Sequence, residues 1–67
     1  MTQHDSERHH QRGIHHGWTD MELFGHPAQT AARNVYSSKP DVVEVFMRGY
    51  AVGVADFRAG RPNSSGW

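Results

Sequence analysis

The chain has 67 residues, in which seven Lys+Arg balance seven Asp+Glu, six residues are histidine and none is cysteine. This length allows one small domain at most, and the absence of cysteine excludes disulfides and cysteine-bound zinc and fits a cytoplasmic protein. Because no apolar run reaches the ~18 residues of a membrane span, and so short a chain hardly encloses a small-molecule pocket, we expect a binding protein, not an enzyme, with no catalytic residues, metal ligands or cofactor.

Residues 1–17 are almost wholly polar, and Ile14 is the only apolar side chain after Met1. An isolated helix shorter than ~12–15 residues is marginal in water. We therefore expect a histidine-rich arm that is flexible in the free protein and helical only against a partner. The predicted helical domain follows at 18–60, and a loose tail is predicted at 61–67.

Two short helical segments are predicted at the start of this domain. Apolar residues recur at a spacing of three over 18–25, and Gly25 is suited to end a helical turn there. Pro27 suits the first turn of the next helix, where its missing N–H costs nothing. Alanines and a valine then fall on one face, which predicts a helix over 27–36.

The longest predicted helix covers about 40–59, with Pro40 in its first turn and Gly60 at its end. A strand in its first part would need period-two alternation, which is absent. Its apolar residues recur at helical intervals: Val43, Phe46, Tyr50, Val54 and Phe57. The sequence thus predicts an all-α fold with two main helices, a short helical turn and a polar N-terminal arm.

Two glycine pairs with four-residue spacing are the most unusual pattern. Gly49 and Gly53 lie inside the longest predicted helix, where each costs roughly 0.8–1.0 kcal/mol relative to alanine. Near the start of the chain, Arg12-Gly13 followed by Gly17 repeats the arrangement. Such a pair lets another backbone approach closely. Two interpretations stay open: a helix–helix crossing within this protein, or contact with an external backbone of protein or RNA.

Four histidines cluster within eight residues, at His9, His10, His15 and His16. Neutral imidazoles at such spacing are able to bind zinc, copper or nickel. Protonation near their ordinary pKa of ~6.5 would add positive charge to the arm. A solvated polar arm is the leading interpretation, and a metal-binding or pH-sensing module is an alternative.

Three short motifs follow one another over roughly residues 8–60. They are HQRG at 10–13 with a further glycine at 17, Glu22 with P-x-Q-T at 27–30, and G-Y-x-x-G-x-A-D at 49–56. In this order they resemble the motifs of the ribosome modulation factor family. The resemblance implies a small, mostly helical, cytoplasmic protein that binds the small ribosomal subunit.

Members of that family bind near the 3′ end of the small-subunit rRNA. There they block the recruitment of messenger RNA in stationary phase or stress, and they help ribosomes to enter a hibernating state. Carried over to the matching positions, the resemblance implies eight RNA-binding residues: His10, Gln11, Arg12, Gly13, Arg48, Gly49, Tyr50 and Gly53. The chemistry is typical of RNA recognition, which uses arginine on phosphates and aromatic or histidine rings stacked on bases.

A function from another class is favoured by the neutral formal charge, because phosphate neutralisation is the main source of affinity for nucleic acid. In this alternative the chain is a small protein-binding regulator, for example a phage-borne one, that docks an apolar helix face on a host protein. That face is Val43, Phe46, Tyr50, Val54 and Phe57. Tyr50 has a third interpretation as a core residue, since it lies on the apolar stripe.

Overall fold

The computed structural model describes residues 3–29 and 40–65, with side chains from residue 6 onward. Two α-helices make up most of these ranges: α1, Gln3–Phe24, and α2, Pro40–Arg58. Neither range contains a strand. The all-α fold class is therefore confirmed, and α2 confirms the helix predicted over 40–59.

Helix α1 differs from the predicted arm and turn, because one helix runs without a break from Gln3 to Phe24. The predicted boundary at Gly17 falls inside this helix, and Gly13, Ile14 and Gly17 are buried against α2. Helical stability in proteins comes mainly from tertiary packing. Contact with α2 therefore stabilises a polar segment that would be marginal by itself.

The two remaining predicted segments also differ from the structure. Residues 27–29 of the helix predicted over 27–36 are not helical, and the rest of that helix lies outside the described residues. The described part of the predicted loose tail, residues 61–65, contacts the helices. The indole Nε1 of Trp18 donates a hydrogen bond to the carbonyl of Arg61 at 2.9 Å, and Ser65 is buried.

Both helices end at the predicted glycines. Gly25 and Gly60 have φ values of 75° and 74°, the left-handed region that glycine adopts without steric cost. At the end of α2, the Gly60 N–H donates to the carbonyl of Phe57 and the Arg61 N–H to that of Asp56. These two bonds form a Schellman motif, which satisfies carbonyls that the last helical turn leaves without partners.

The helices run side by side in the same direction, because contacts advance together along both. The contacts that fix this register are Gly49 with His10, Gly53 with Ile14, and Trp18 with Phe57. Both N-termini consequently lie at one end of the molecule. Helix α1 is about 33 Å long for its 22 residues.

The apolar stripe of α2 forms the core. Phe46, Tyr50 and Val54 are buried, with exposed fractions of 0%, 2% and 8%, and they cluster with Met21 of α1. Val43 and Phe57 are partly buried against the same cluster. Three residues of the face that the alternative function assigned to a host protein are thus buried within this chain, and its other two residues are partly buried.

The helix crossing brings backbone against backbone at four glycines. A methyl group added at Gly49 would lie 1.9 Å from the carbonyl oxygen of His10, and one at Gly53 would lie 2.1 Å from that of Ile14. In the other direction, a methyl group added at Gly13 would lie 2.0 Å from the carbonyl oxygen of Phe46, and one at Gly17 would lie 2.2 Å from that of Tyr50. Of the two interpretations of the glycine pairs, the structure supports a crossing within the protein.

We predict that Gly49→Ala destabilises the fold, although alanine favours helix by roughly 0.8–1.0 kcal/mol at an ordinary helical position. The added methyl would overlap the His10 carbonyl, which moves only if the helices separate. Overpacking of this kind typically costs about 1–3 kcal/mol, occasionally more. Chemical denaturation of the native chain and the variant measures the free energy of unfolding. A variant at least as stable as the native chain would contradict the crossing.

Candidate functional site

The structure divides the eight predicted RNA-binding residues into two groups. Four are buried at the helix crossing: Gly13, Gly49, Tyr50 and Gly53. The other four reach the surface: His10 and Arg12 are half-buried, and Gln11 and Arg48 are exposed. The buried group holds the two helices together, so any contact with an external ligand falls to the polar group.

The glycine pairs belong to a longer repeat, R-G-x-x-x-G-x-x-D, at 12–20 and again at 48–56. The contacts of its two copies are reciprocal. Gly13 faces the backbone of Phe46 and Tyr50, and Gly49 faces the backbone of His10 and Ile14. The second contact repeats the first, because His10 and Ile14 stand 36 positions before Phe46 and Tyr50, as Gly13 stands 36 positions before Gly49. An approximate two-fold axis along the common helix direction therefore relates α1 to α2.

Sequence reasoning missed the aspartates that end the two copies. Asp20 is 5% exposed, and its Oδ2 accepts hydrogen bonds from the Tyr50 hydroxyl at 2.5 Å and from the Gln29 backbone N–H at 3.2 Å. The same N–H also lies 3.0 Å from the Tyr50 hydroxyl oxygen. The signal that could have revealed Asp20 is its recurrence, three residues after the second glycine in both copies.

Burial and the hydrogen bond to Asp20, in that order, raise the pKa of Tyr50 to about 12. The hydroxyl is therefore protonated throughout the physiological range and acts as a donor to the carboxylate. Its 2% exposed fraction leaves no face of the ring for stacking on a base. Of the interpretations of Tyr50, the structure supports the core residue.

The second aspartate, Asp56, holds the chain that leaves α2. One carboxylate oxygen is 2.9 Å from a guanidinium nitrogen of Arg61, and the other accepts a bond from the Ser64 hydroxyl at 3.0 Å. Asn63 lies 3.2 Å from the ring of His15, which joins the same segment to α1. These contacts give residues 61–65 a structural role.

A polar cleft of about 400 Å³ opens between the first half of α1 and the first half of α2. Its lining residues are Ser6, Glu7, His10, Val45 and Arg48. It brings together His10 and Arg48, which come from different motifs. At its edge, Glu44 and Arg48 form an i,i+4 ion pair on α2, with 2.6 Å between Oε1 and Nη2.

The histidines of α1 lie in different environments. His16 contacts the rings of His15 and Phe46, with centroids 5.3 Å and 5.7 Å away. Burial, and then the neighbouring His15, lower the pKa of His16 below its ordinary 6.5; Arg12 acts in the same direction, and Asp20 opposes it. Over residues 3–29 and 40–65, no three His, Cys, Asp or Glu residues are grouped so as to hold a metal ion.

Comparisons with known proteins leave the site to be interpreted from its own chemistry. No family model, no curated protein and no solved structure matches the chain. Of the two described helices, neither is long and apolar enough to cross a membrane.

We predict that Tyr50→Phe lowers the free energy of unfolding by about 1–3 kcal/mol, because buried Asp20 loses a donor. A double-mutant cycle with Asp20→Asn isolates the coupling between the two side chains. A folded-state pKa of about 12, above the ordinary 10.0, means that the contribution is complete below pH 10 and disappears as pH rises through 12. Equal stability of variant and native chain at neutral pH would contradict this role.

We predict that His16 makes the fold less stable in acid. Its folded-state pKa lies below the ordinary 6.5, so its contribution is complete above pH 6.5 and is lost as pH falls through the lower, folded-state value. Thermal unfolding at about pH 7.5 and about pH 5.5 measures the effect. His16→Gln is expected to lose less stability on acidification than the native chain, whereas His26→Gln, at an exposed position, is expected to behave like the native chain.

Proposed function

We propose that the protein binds small-subunit rRNA near its 3′ end, in the cytoplasm, and blocks the recruitment of messenger RNA in stationary phase or stress. The resemblance of its three motifs to the ribosome modulation factor family supports this function. The structural observation that carries the proposal is the cleft in which His10 and Arg48 converge from α1 and α2. A basic and an imidazole side chain beside each other form a common site for RNA phosphates and bases.

Arg48 is suited to an exchange of partners. Its side chain is 70% exposed, and its ion pair with Glu44 is also exposed, with 63% for the glutamate. Exposed pairs of this i,i+4 type contribute only about 0.3–0.5 kcal/mol. Arg48 therefore releases Glu44 at little cost when a phosphate is offered, and a guanidinium binds phosphate through two parallel hydrogen bonds.

The zero formal charge is compatible with RNA binding once the positions of the carboxylates are considered. Asp20 and Asp56 are buried and accept hydrogen bonds from within the chain. Neither carboxylate is presented on the surface, so the surface carries fewer acidic groups than the composition suggests. Phosphate contacts by the exposed arginines then face less repulsion.

The surface assigned to the protein-binding alternative is largely buried, because most of the apolar stripe of α2 packs in the core. A host-protein partner would have to use another face. The polar residues assigned to RNA binding stay accessible, and this difference in exposure favours the RNA hypothesis.

We predict that Arg48 contributes to ribosome binding. A tagged copy of the chain in stationary-phase cells is expected to sediment with small ribosomal subunits in a sucrose gradient. Arg48→Ala should reduce that fraction, and Arg48→Glu should reduce it further because the reversed charge repels phosphate. Arg58→Ala is the matched control, since Arg58 is an exposed arginine on α2 about 15 Å along the helix from Arg48.

Two results would contradict this proposal. Sedimentation in light fractions with a single co-purified protein would instead support the protein-binding alternative. The second result is equal ribosome binding by the native chain and both Arg48 variants, with the helical circular dichroism unchanged. It would mean that Arg48 makes only its exposed ion pair with Glu44 and does not contribute to ribosome binding.

A further inference from the structure

We propose that the cleft between α1 and α2 receives one unpaired nucleotide of single-stranded RNA. Arg48 binds the phosphate, Glu7 accepts a hydrogen bond from the ribose 2′-hydroxyl, and His10 contacts the base. This inference rests on the RNA binding proposed above, and it adds the ligand class and a discriminating residue.

The lining groups come from both helices. Ser6, Glu7 and His10 occupy successive turns of one face of α1, and Val45 and Arg48 occupy one face of α2. The volume of about 400 Å³ lies within the range of small-ligand sites, about 300–1,000 Å³. Because the glycine crossing fixes the two helices relative to each other, the backbone positions that carry these groups are set before any ligand binds.

The charges in the cleft fit a nucleotide better than a bare anion. Arg48 makes one contact, to Glu44, and five N–H donors are available on a guanidinium, so donors are left for a phosphate. Glu7 would repel a free phosphate in the same space. A nucleotide, however, also carries hydroxyl and amino donors, and an ionised carboxylate is an acceptor for both.

The remaining lining groups fit a base and a sugar. The His10 imidazole offers a ring on which a base stacks, as is common for unpaired RNA bases. Val45 supplies an apolar contact, and the Ser6 hydroxyl is able to donate or accept. The 2′-hydroxyl is what lets a protein distinguish RNA from DNA at a given position. Glu7 is the acceptor placed to make that distinction.

The test uses the full chain, labelled with ¹⁵N, and a single-stranded RNA of about six nucleotides in mixed sequence, with the DNA of the same sequence for comparison. We expect the amide signals of residues 6–10 and 45–48 to shift together, and the RNA to bind more tightly than the DNA. Arg48→Ala is expected to weaken both ligands about tenfold, because both carry the phosphate.

Glu7→Gln separates recognition from simple repulsion. If Glu7 accepts a hydrogen bond from the ribose, this variant lowers the RNA-to-DNA affinity ratio roughly 3- to 10-fold. Glu22→Gln is the matched control: it removes the same charge from an exposed position of α1 outside the cleft, and the ratio is expected to stay unchanged. If Glu7→Gln tightens RNA and DNA equally, Glu7 only repels phosphate and the proposal is overturned.

The failure of this inference is distinguishable from the failure of the proposed function. RNA binding that shifts signals elsewhere overturns the nucleotide site and leaves RNA binding standing. Sedimentation with small subunits without any binding of the oligonucleotide also overturns the site, and assigns the contact to another part of the subunit. If the chain neither sediments with small subunits nor binds the oligonucleotide, both the proposed function and the nucleotide site are overturned.

Discussion

The direct contact of two helix backbones at four glycines is the constraint on which the rest of the structure depends. Each glycine within a helix costs roughly 0.8–1.0 kcal/mol relative to alanine. Close approach offsets that cost through many dispersion contacts along both backbones. Such crossings are familiar from membrane helices. In this chain the same geometry buries the Phe46 and Tyr50 side chains and stabilises α1, a helix with little apolar surface of its own.

The repeat explains why the crossing is followed by an ordered chain at both helix ends. Beyond each glycine pair stands an aspartate that binds the segment leaving its helix. Asp20 accepts from the Gln29 N–H, and Asp56 binds Arg61 and Ser64. Gln29 has a φ of 59°, an uncommon conformation for a residue with a side chain, and its N–H is directed at this carboxylate. The repeat thus sets both the distance between the helices, through its glycines, and the start of the segment that follows each helix, through its aspartate.

The sequence was sufficient to predict α2 and its glycine stop, because these depend on local periodicity and capping. It was insufficient for α1, since the stability of this helix comes from Gly13 and Gly17 meeting α2, a long-range contact that no local pattern contains. For the same reason, the sequence left open which of the predicted site residues are exposed and which are buried. Which of Tyr50 and Arg48 faces outward depends on the position of the other helix, and sequence reasoning had only the resemblance to assign both to RNA.

The parallel direction of the helices gives a molecule of zero formal charge a directed electric field. Each helix is equivalent to roughly +0.5 charge at its N-terminus and −0.5 at its C-terminus. In an antiparallel pair these dipoles cancel, but here they add, and both positive ends lie at the end of the molecule where the cleft opens. Near a polyanion the helix dipoles therefore favour an orientation with this end toward the negative surface. This contribution of the backbone to orientation does not require a net charge.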